Sequence, residues 1–184
     1  ISGLSLLMTL CIQSCKIEEF NPTSLSEETA LRNFDGWKAY QSNCYTGLWG
    51  SLIGLQYGIV SEVGTDLWTF PYNNHNQYKD VMAYEEFTTS SGLVRNVWDL
   101  AWGSVKHCNK TIDLSALLTN GNPDDVKVLV AETRLLRAYY YSVLVAHFGK
   151  VPLMTTAEEA VNLNPQRDEV DKIYAQIVAD LRFA

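Results

Sequence analysis

The chain has 184 residues, 47% of them apolar and 19% charged, which is about one ordinary domain and argues against disorder. Fourteen basic and 21 acidic residues give a formal net charge of −7, which argues against nucleic acid and against a polybasic membrane-surface binder. Five Trp, 10 Tyr and 6 Phe supply more large flat side chains than a small core needs.

The first element is a short apolar run, Leu4, Leu6, Leu7, Met8, Leu10 and Ile12. It is far below the roughly 20 residues needed to span a bilayer and suits the core of a signal peptide whose charged start lies upstream of Ile1. The run ends Ile12-Gln13-Ser14-Cys15. A small residue before a Cys, after an apolar core, resembles a bacterial lipoprotein processing site. The Cys thiol is what diacylglycerol alkylates, and bulky Leu10 makes Cys11 the poorer candidate. Glu18-Glu19, just past Cys15, is similar to the surface-export signal of Bacteroidota lipoproteins. Residues 1–14 are therefore expected to be a partial lipoprotein signal peptide. Cys15 is the expected lipidation site, and 15–24 a tether. The alternative is a buried helix with two incidental cysteines.

Ser24 with Glu27 forms a capping-box pattern that predicts a helix from about Leu25. Ala30, Leu31, Phe34, Trp37, Tyr40, Cys44 and Tyr45 give it one apolar face before Gly47. The apolar, glycine-punctuated stretch 48–63 is compatible with a second helix. From Gly64 to Gly92 no 3.6-residue period survives. That span is long for a structureless loop, and loops of that length are usually functional or disordered. Its aromatic density argues against disorder. Helical signal returns at Leu93, with Trp98 and Trp102 four apart and Val105, Ile112 and Leu114 on roughly the same face.

Asn120-Gly121-Asn122-Pro123 is a turn, with Asn122 as cap and Pro123 as first helical residue. The next helix is predicted to run to Phe148 with Gly149 as its stop, apolar almost all round and therefore central. After Pro152 a last helix is expected, capped by Asp168, with Val170, Ile173, Tyr174, Ile177, Val178 and Leu181 as its apolar face. The fold class is all-α: helical hairpins of the tetratricopeptide type over 25–184, decorated by one long aromatic-rich loop. The last helix carries no stop signal before Ala184, and the chain is expected to be the N-terminal part of something longer.

One stretch is specific. Ala131-Glu132-Thr133-Arg134-Leu135-Leu136-Arg137-Ala138-Tyr139-Tyr140-Tyr141 is followed by Phe148-Gly149-Lys150-Val151-Pro152-Leu153, and then by Arg167, Val170, Ile173-Tyr174, Ile177 and Asp180-Leu181. Trp98-Asp99-Leu100-Ala101-Trp102 with Asn109 precedes it. This pattern resembles the N-terminal half of the SusD-like (RagB/SusD) outer-membrane nutrient-binding lipoproteins. The resemblance implies a non-enzymatic, surface-exposed, lipid-anchored protein of the outer membrane. It would capture an oligosaccharide or another nutrient and sit over a SusC-type TonB-dependent transporter.

Arg134 and Arg137 lie on a nearly all-apolar helix. A buried charge is expensive without a partner, so one must meet them, with the helical neighbours of Glu132, Asp99 and Asp180 the candidates. The long motif thus reads as scaffold rather than ligand site.

Catalysis finds little support. No Ser-His-Asp set has a nucleophile-elbow context. His75, His107 and His147 are far apart and read as surface or satisfied side chains. Glu85-Glu86 and Glu158-Glu159 do not face one another across a sugar. Cys44 and Cys108 have no zinc-ligand spacing; they are either a disulfide formed outside the cytoplasm or two buried free thiols. No metal and no cofactor are expected.

Binding reads better. Sugars present flat CH faces and a rim of hydroxyls, which rings and amides cover in turn. Trp68, Tyr72, Asn74 and Tyr78 supply both and are the expected ligand-binding residues; the alternative is that the rings pack the loop onto the helices. The competing class is a helical-repeat scaffold that binds protein partners only.

Overall fold

The computed structural model describes residues 30–48, 61–63, 65–66, 87–88, 91–157 and 164–184. The described residues form four α-helices: α1 (Phe34–Gln41), α2 (Gly92–Ser115), α3 (Pro123–Phe148) and α4 (Val170–Phe183). A short 3₁₀ turn, Ser42–Tyr45, follows α1. This is the all-helical class expected. The capping box at Ser24, the stretch 49–60 and most of the aromatic segment lie outside the described residues.

Helix α3 is the centre and packs against every other helix. Its limits are those its sequence dictates. Asn122 accepts the Asp124 N–H at 2.9 Å, Pro123 opens the helix, and Asp124 and Asp125 face its positive end. Gly149 ends it at φ 66°, ψ −122°, a backbone conformation that a side chain resists. Tyr140, Tyr141, Val143, Leu144 and Val145 are buried there, against Val97, Ala101, Val105 and Cys108 of α2 and Ile173 and Ile177 of α4.

Two expectations are corrected. The helix predicted over Leu25–Gly47 is not continuous. Ala30 and Leu31 are helical, the chain breaks at Arg32-Asn33, and α1 starts afresh at Phe34. Asn33 causes the restart, because its side chain takes the Asp35 N–H at 2.9 Å. The corner docks on the α2–α3 turn. There Asn120 accepts the Phe34 N–H at 2.7 Å, and the Arg32 carbonyl accepts the Thr119 N–H at 3.0 Å. Gly36 is required at this corner, since a Cβ there would come within 2.2 Å of the Ala30 carbonyl oxygen.

Asp168 does not cap α4. Glu169 is the cap residue and makes no side-chain capping bond. Asp168 instead accepts the Leu153 N–H at 2.8 Å and pairs with Lys172 at 2.5 Å, bracing the strap between α3 and α4.

A buried polar node ties three helices together. Arg137 Nε and Nη2 donate to the two carboxylate oxygens of Asp180, at 2.8 and 2.7 Å. Nη1 donates to Asn109 Oδ1 at 2.8 Å and to the Thr155 carbonyl at 2.9 Å. Asn109 Nδ2 then donates to the carbonyls of Met154 and Thr156, at 2.9 and 3.3 Å. Arg137 is 3% exposed and Asp180 0%. The fork-on-fork geometry offsets the desolvation of both charges. Of the two carboxylates expected as partners, Asp180 is the one used. Asp99 is exposed and lies 3.9 Å from Arg95.

Candidate functional site

The described residues bring together one aromatic-walled hollow. Trp98, Trp102, Val105 and Asn109 recur at helical spacing along α2 and turn one face toward the strap that follows α3. With Pro152, Met154 and Pro165 they enclose a cavity of about 340 Å³. Trp98 meets Phe148 edge-on, with centroids 4.9 Å apart at 81°, and lies 5.7 Å from Trp102 at 59°. Trp102 meets Tyr141 at 6.1 Å and 86°.

The far wall is rigid because its backbone is bonded. The Tyr141 hydroxyl donates to the Met154 carbonyl at 2.7 Å and accepts the Met154 N–H at 2.8 Å. Asn109 and Arg137 fix the neighbouring carbonyls, as described above. Lys106 is the charged residue of the lining. The sequence placed Trp98 and Trp102 on one helix face without separating a packing role from a cavity wall. The signal for the latter is an aromatic pair followed by Gly103, with Pro152 and Pro165 opposite.

A second hollow of about 380 Å³ lies on the adjacent face of α2 and shares Gly103 with the first. Asn43, Thr46, Asp99, Ser104 and His107 line it. These are amide, hydroxyl, carboxylate and imidazole groups, suited to bonding a polyhydroxylated molecule. His107 is held below its ordinary pKa by burial and then by Lys106 and Lys110, which favours the neutral ring. Its Nδ1 lies 3.2 Å from the Tyr40 hydroxyl. His147 is satisfied on its own helix, with Nδ1 3.0 Å from the Val143 carbonyl. Among the described residues no cluster of His, Cys, Asp or Glu could hold a metal ion.

Cys15, Trp68, Tyr72, Asn74 and Tyr78 lie outside the described residues, as do His75 and the pairs Glu85-Glu86 and Glu158-Glu159.

A family model described as "starch-binding associating with outer membrane" matches residues 60–184. The chain belongs to the SusD-like family. The SusD-like protein P2 of Formosa agariphila is 25% identical over 201 residues, an alignment covering all of this chain and 37% of that protein. A solved SusD homologue from Bacteroides thetaiotaomicron matches with a TM-score of 0.73 at 19% identity, over 85% of this chain and 30% of that one. Surface glycan-binding protein A from Bacteroides fluxus matches with a TM-score of 0.67 at 21% identity, over 83% of this chain and 33% of that one. The chain thus spans about a third of the length of these relatives.

The SusD-like motif of α3 falls wholly within the matched residues and is structural in its details. Glu132 accepts the Tyr45 hydroxyl at 3.0 Å, Arg137 builds the polar node, Tyr140 donates to the Cys44 carbonyl, and Tyr141 secures Met154.

Proposed function

We propose that this chain is part of a non-enzymatic surface lipoprotein that captures a glycan and delivers it to a SusC-type TonB-dependent transporter in the outer membrane. Membership of the SusD-like family over residues 60–184 carries this reading, because that family is described as starch-binding and associated with the outer membrane. The likeness to a surface glycan-binding protein supports it. Cys15 is proposed as the lipid-bearing residue. One acyl chain holds a protein to a bilayer only weakly, so the mature Cys would carry a diacylglycerol and an amide-linked chain.

Two elements are offered to the ligand. The segment bearing Trp68, Tyr72, Asn74 and Tyr78 supplies rings interleaved with amides, and loops on a rigid scaffold are where binding residues concentrate. The hollow walled by Trp98 and Trp102 adds indoles on a helix that the polar node holds still.

Affinity electrophoresis through gels containing starch, laminarin or xylan tests the reading. Retardation on at least one glycan, weakened by Trp68→Ala with an unchanged melting temperature, is the expected result. No retardation on any glycan, together with retained pull-down of the transporter, would favour a scaffold that binds protein partners only. Incorporation of labelled palmitate that persists in Cys15→Ala would overturn the lipid assignment.

A further inference from the structure

Cys44 and Cys108 are both fully buried, one in the turn after α1 and the other in α2, with residues 45–107 between them. Three contacts press α1 and that turn onto α2 and α3. Cys44 Sγ lies 3.4 Å from Thr111 Oγ1, one helical turn beyond Cys108. Trp37 Nε1 donates to the Thr111 carbonyl at 2.9 Å. The Tyr140 hydroxyl donates to the Cys44 carbonyl. Cys108 belongs to the same buried cluster as Cys44 and stands one helical turn before Thr111, so the two thiols are neighbours in the core. The Cys108 side chain holds Cys44 below the ordinary thiol pKa. The Cys44 side chain in turn lifts Cys108 well above it, with burial adding to the rise.

Two thiols brought side by side from segments so far apart in sequence are more than core filling asks for, since either sulfur alone would pack as a small hydrophobe. A disulfide needs its two Cβ atoms about 3.5–4.5 Å apart, and Cys44, 3.4 Å from the residue one turn beyond Cys108, stands in the right part of the core to reach it. The position of the pair has a consequence for the site. The residues between the cysteines include Trp68, Tyr72, Asn74 and Tyr78. A bond here closes the ring of chain that carries them.

We propose that Cys44 and Cys108 form a disulfide as the chain folds outside the cytoplasm, clamping the two ends of the aromatic segment onto the helical scaffold. The compartment rests on the surface location proposed above; the pairing does not. The oxidant is a dithiol–disulfide oxidoreductase in its disulfide form. The Cys44 thiolate attacks one of its sulfurs and displaces the other as a thiolate. The Cys108 thiolate then attacks Cys44 Sγ in the mixed disulfide and displaces the second enzyme sulfur. Two protons leave the cysteines, two electrons pass to the oxidoreductase, and it ends as the dithiol. The exchange belongs to the folding chain, because in the folded protein both sulfurs are closed to an attacking partner.

Peptide mapping decides it. The 184-residue chain is refolded in a glutathione redox buffer, unfolded without reductant, alkylated, digested and weighed. The expected product is one peptide pair joined through Cys44 and Cys108, two hydrogens lighter than the separate peptides. The oxidised protein should melt about 5–15 °C above the reduced one, from closing a long loop in the unfolded state. Alkylation of both residues, or linkage of either to Cys11 or Cys15, would overturn the pairing. The same mapping on protein taken from the native cell envelope tests the compartment. Alkylated Cys44 and Cys108 there, beside a linked pair in the refolded chain, would overturn oxidation outside the cytoplasm. Glycan retardation is scored separately, so its loss or retention bears on ligand capture alone.

Discussion

Asp180 and Leu181 are neighbours in α4, and they are arranged against the usual order. The carboxylate is 0% exposed and the leucine 48%. Around Asp180 lies a buried polar node, in which both oxygens are bonded by Arg137 and Asn109 joins α2 to the strap. Around Leu181 lies an apolar stripe open to solvent, made of Tyr174 and Val178 on the same helix face. The difference shows that burial follows helix phase rather than side-chain type. Ile173, Ile177 and Asp180 point to α3, and whatever stands in that register is buried. A charge survives there because both of its oxygens accept bonds, from Arg137 and, at 3.1 Å, from Gln176 Nε2.

The sharpest way to break the node is Arg137→Ala. It leaves the Asp180 carboxyl in the interior without its two-pronged partner and takes a donor from Asn109 and Thr155. The expected loss is about 3–5 kcal/mol in a urea titration. The double substitution Arg137→Met with Asp180→Leu removes both charges together, and it should lose less than the single change. If the double change costs as much as the sum of its parts, the pair is not coupled.

Arg137 shows how much of this was legible. A guanidinium in a nearly all-apolar helix had to be buried and paired, and the sequence said so. The partner could not be chosen, because Asp99 and Asp180 were equally acidic and equally distant from any rule of spacing. Asn109 was visible as part of a family pattern, yet nothing in its surroundings announced that its amide would close the node. The break at Asn33 was missed for a local reason. The apolar period runs on across it, and period outweighed the Asn-Phe-Asp-Gly signal that restarts the helix. The expected ligand residues, Trp68, Tyr72, Asn74 and Tyr78, came from loss of period and gain of aromatics. The hollow beside Trp98 and Trp102 depends on the approach of Pro152, Met154 and Pro165, a contact no local pattern records.

Gly149 offers a smaller effect of cleaner origin. A Cβ placed there meets nothing within 4 Å, so Gly149→Ala introduces no clash. It does force a side chain into φ 66°, ψ −122°, and the expected loss is about 1–3 kcal/mol from backbone strain alone. A melting temperature equal to that of the parent would show that the α3 stop relaxes freely.

Asp168 gives a pH-dependent effect of about 1 kcal/mol or less, because its partner Lys172 is exposed. The Lys172 ammonium, and then the Leu153 N–H, hold its carboxyl below the ordinary carboxylate value. A depressed folded-state pKa contributes stability above the unfolded value of about 4, and that contribution is lost as pH falls through the folded value. Asp168→Asn should therefore cost up to about 1 kcal/mol at pH 7, and the deficit should shrink as pH falls below about 4, which flattens the acid limb of the stability curve. An unchanged acid limb would remove Asp168 from the bracing of the strap.

The stripe itself should give the smallest effect. Val178→Gln and Leu181→Gln replace side chains that are 42% and 48% exposed, and neither touches the register that meets α3. Surface changes of this kind usually fall within about 0.5 kcal/mol, so both variants should unfold with the parent protein in dilute solution. The comparison with the node rests on that result. Asp180 and Leu181 differ by one position and 100° of helix phase, and phase alone is held to separate a change of several kcal/mol from one near zero. A large loss in Leu181→Gln at low protein concentration would mean that the stripe is covered within the chain. A loss that grows with protein concentration would mean that the stripe packs against a second copy, since association stabilises the folded form by mass action.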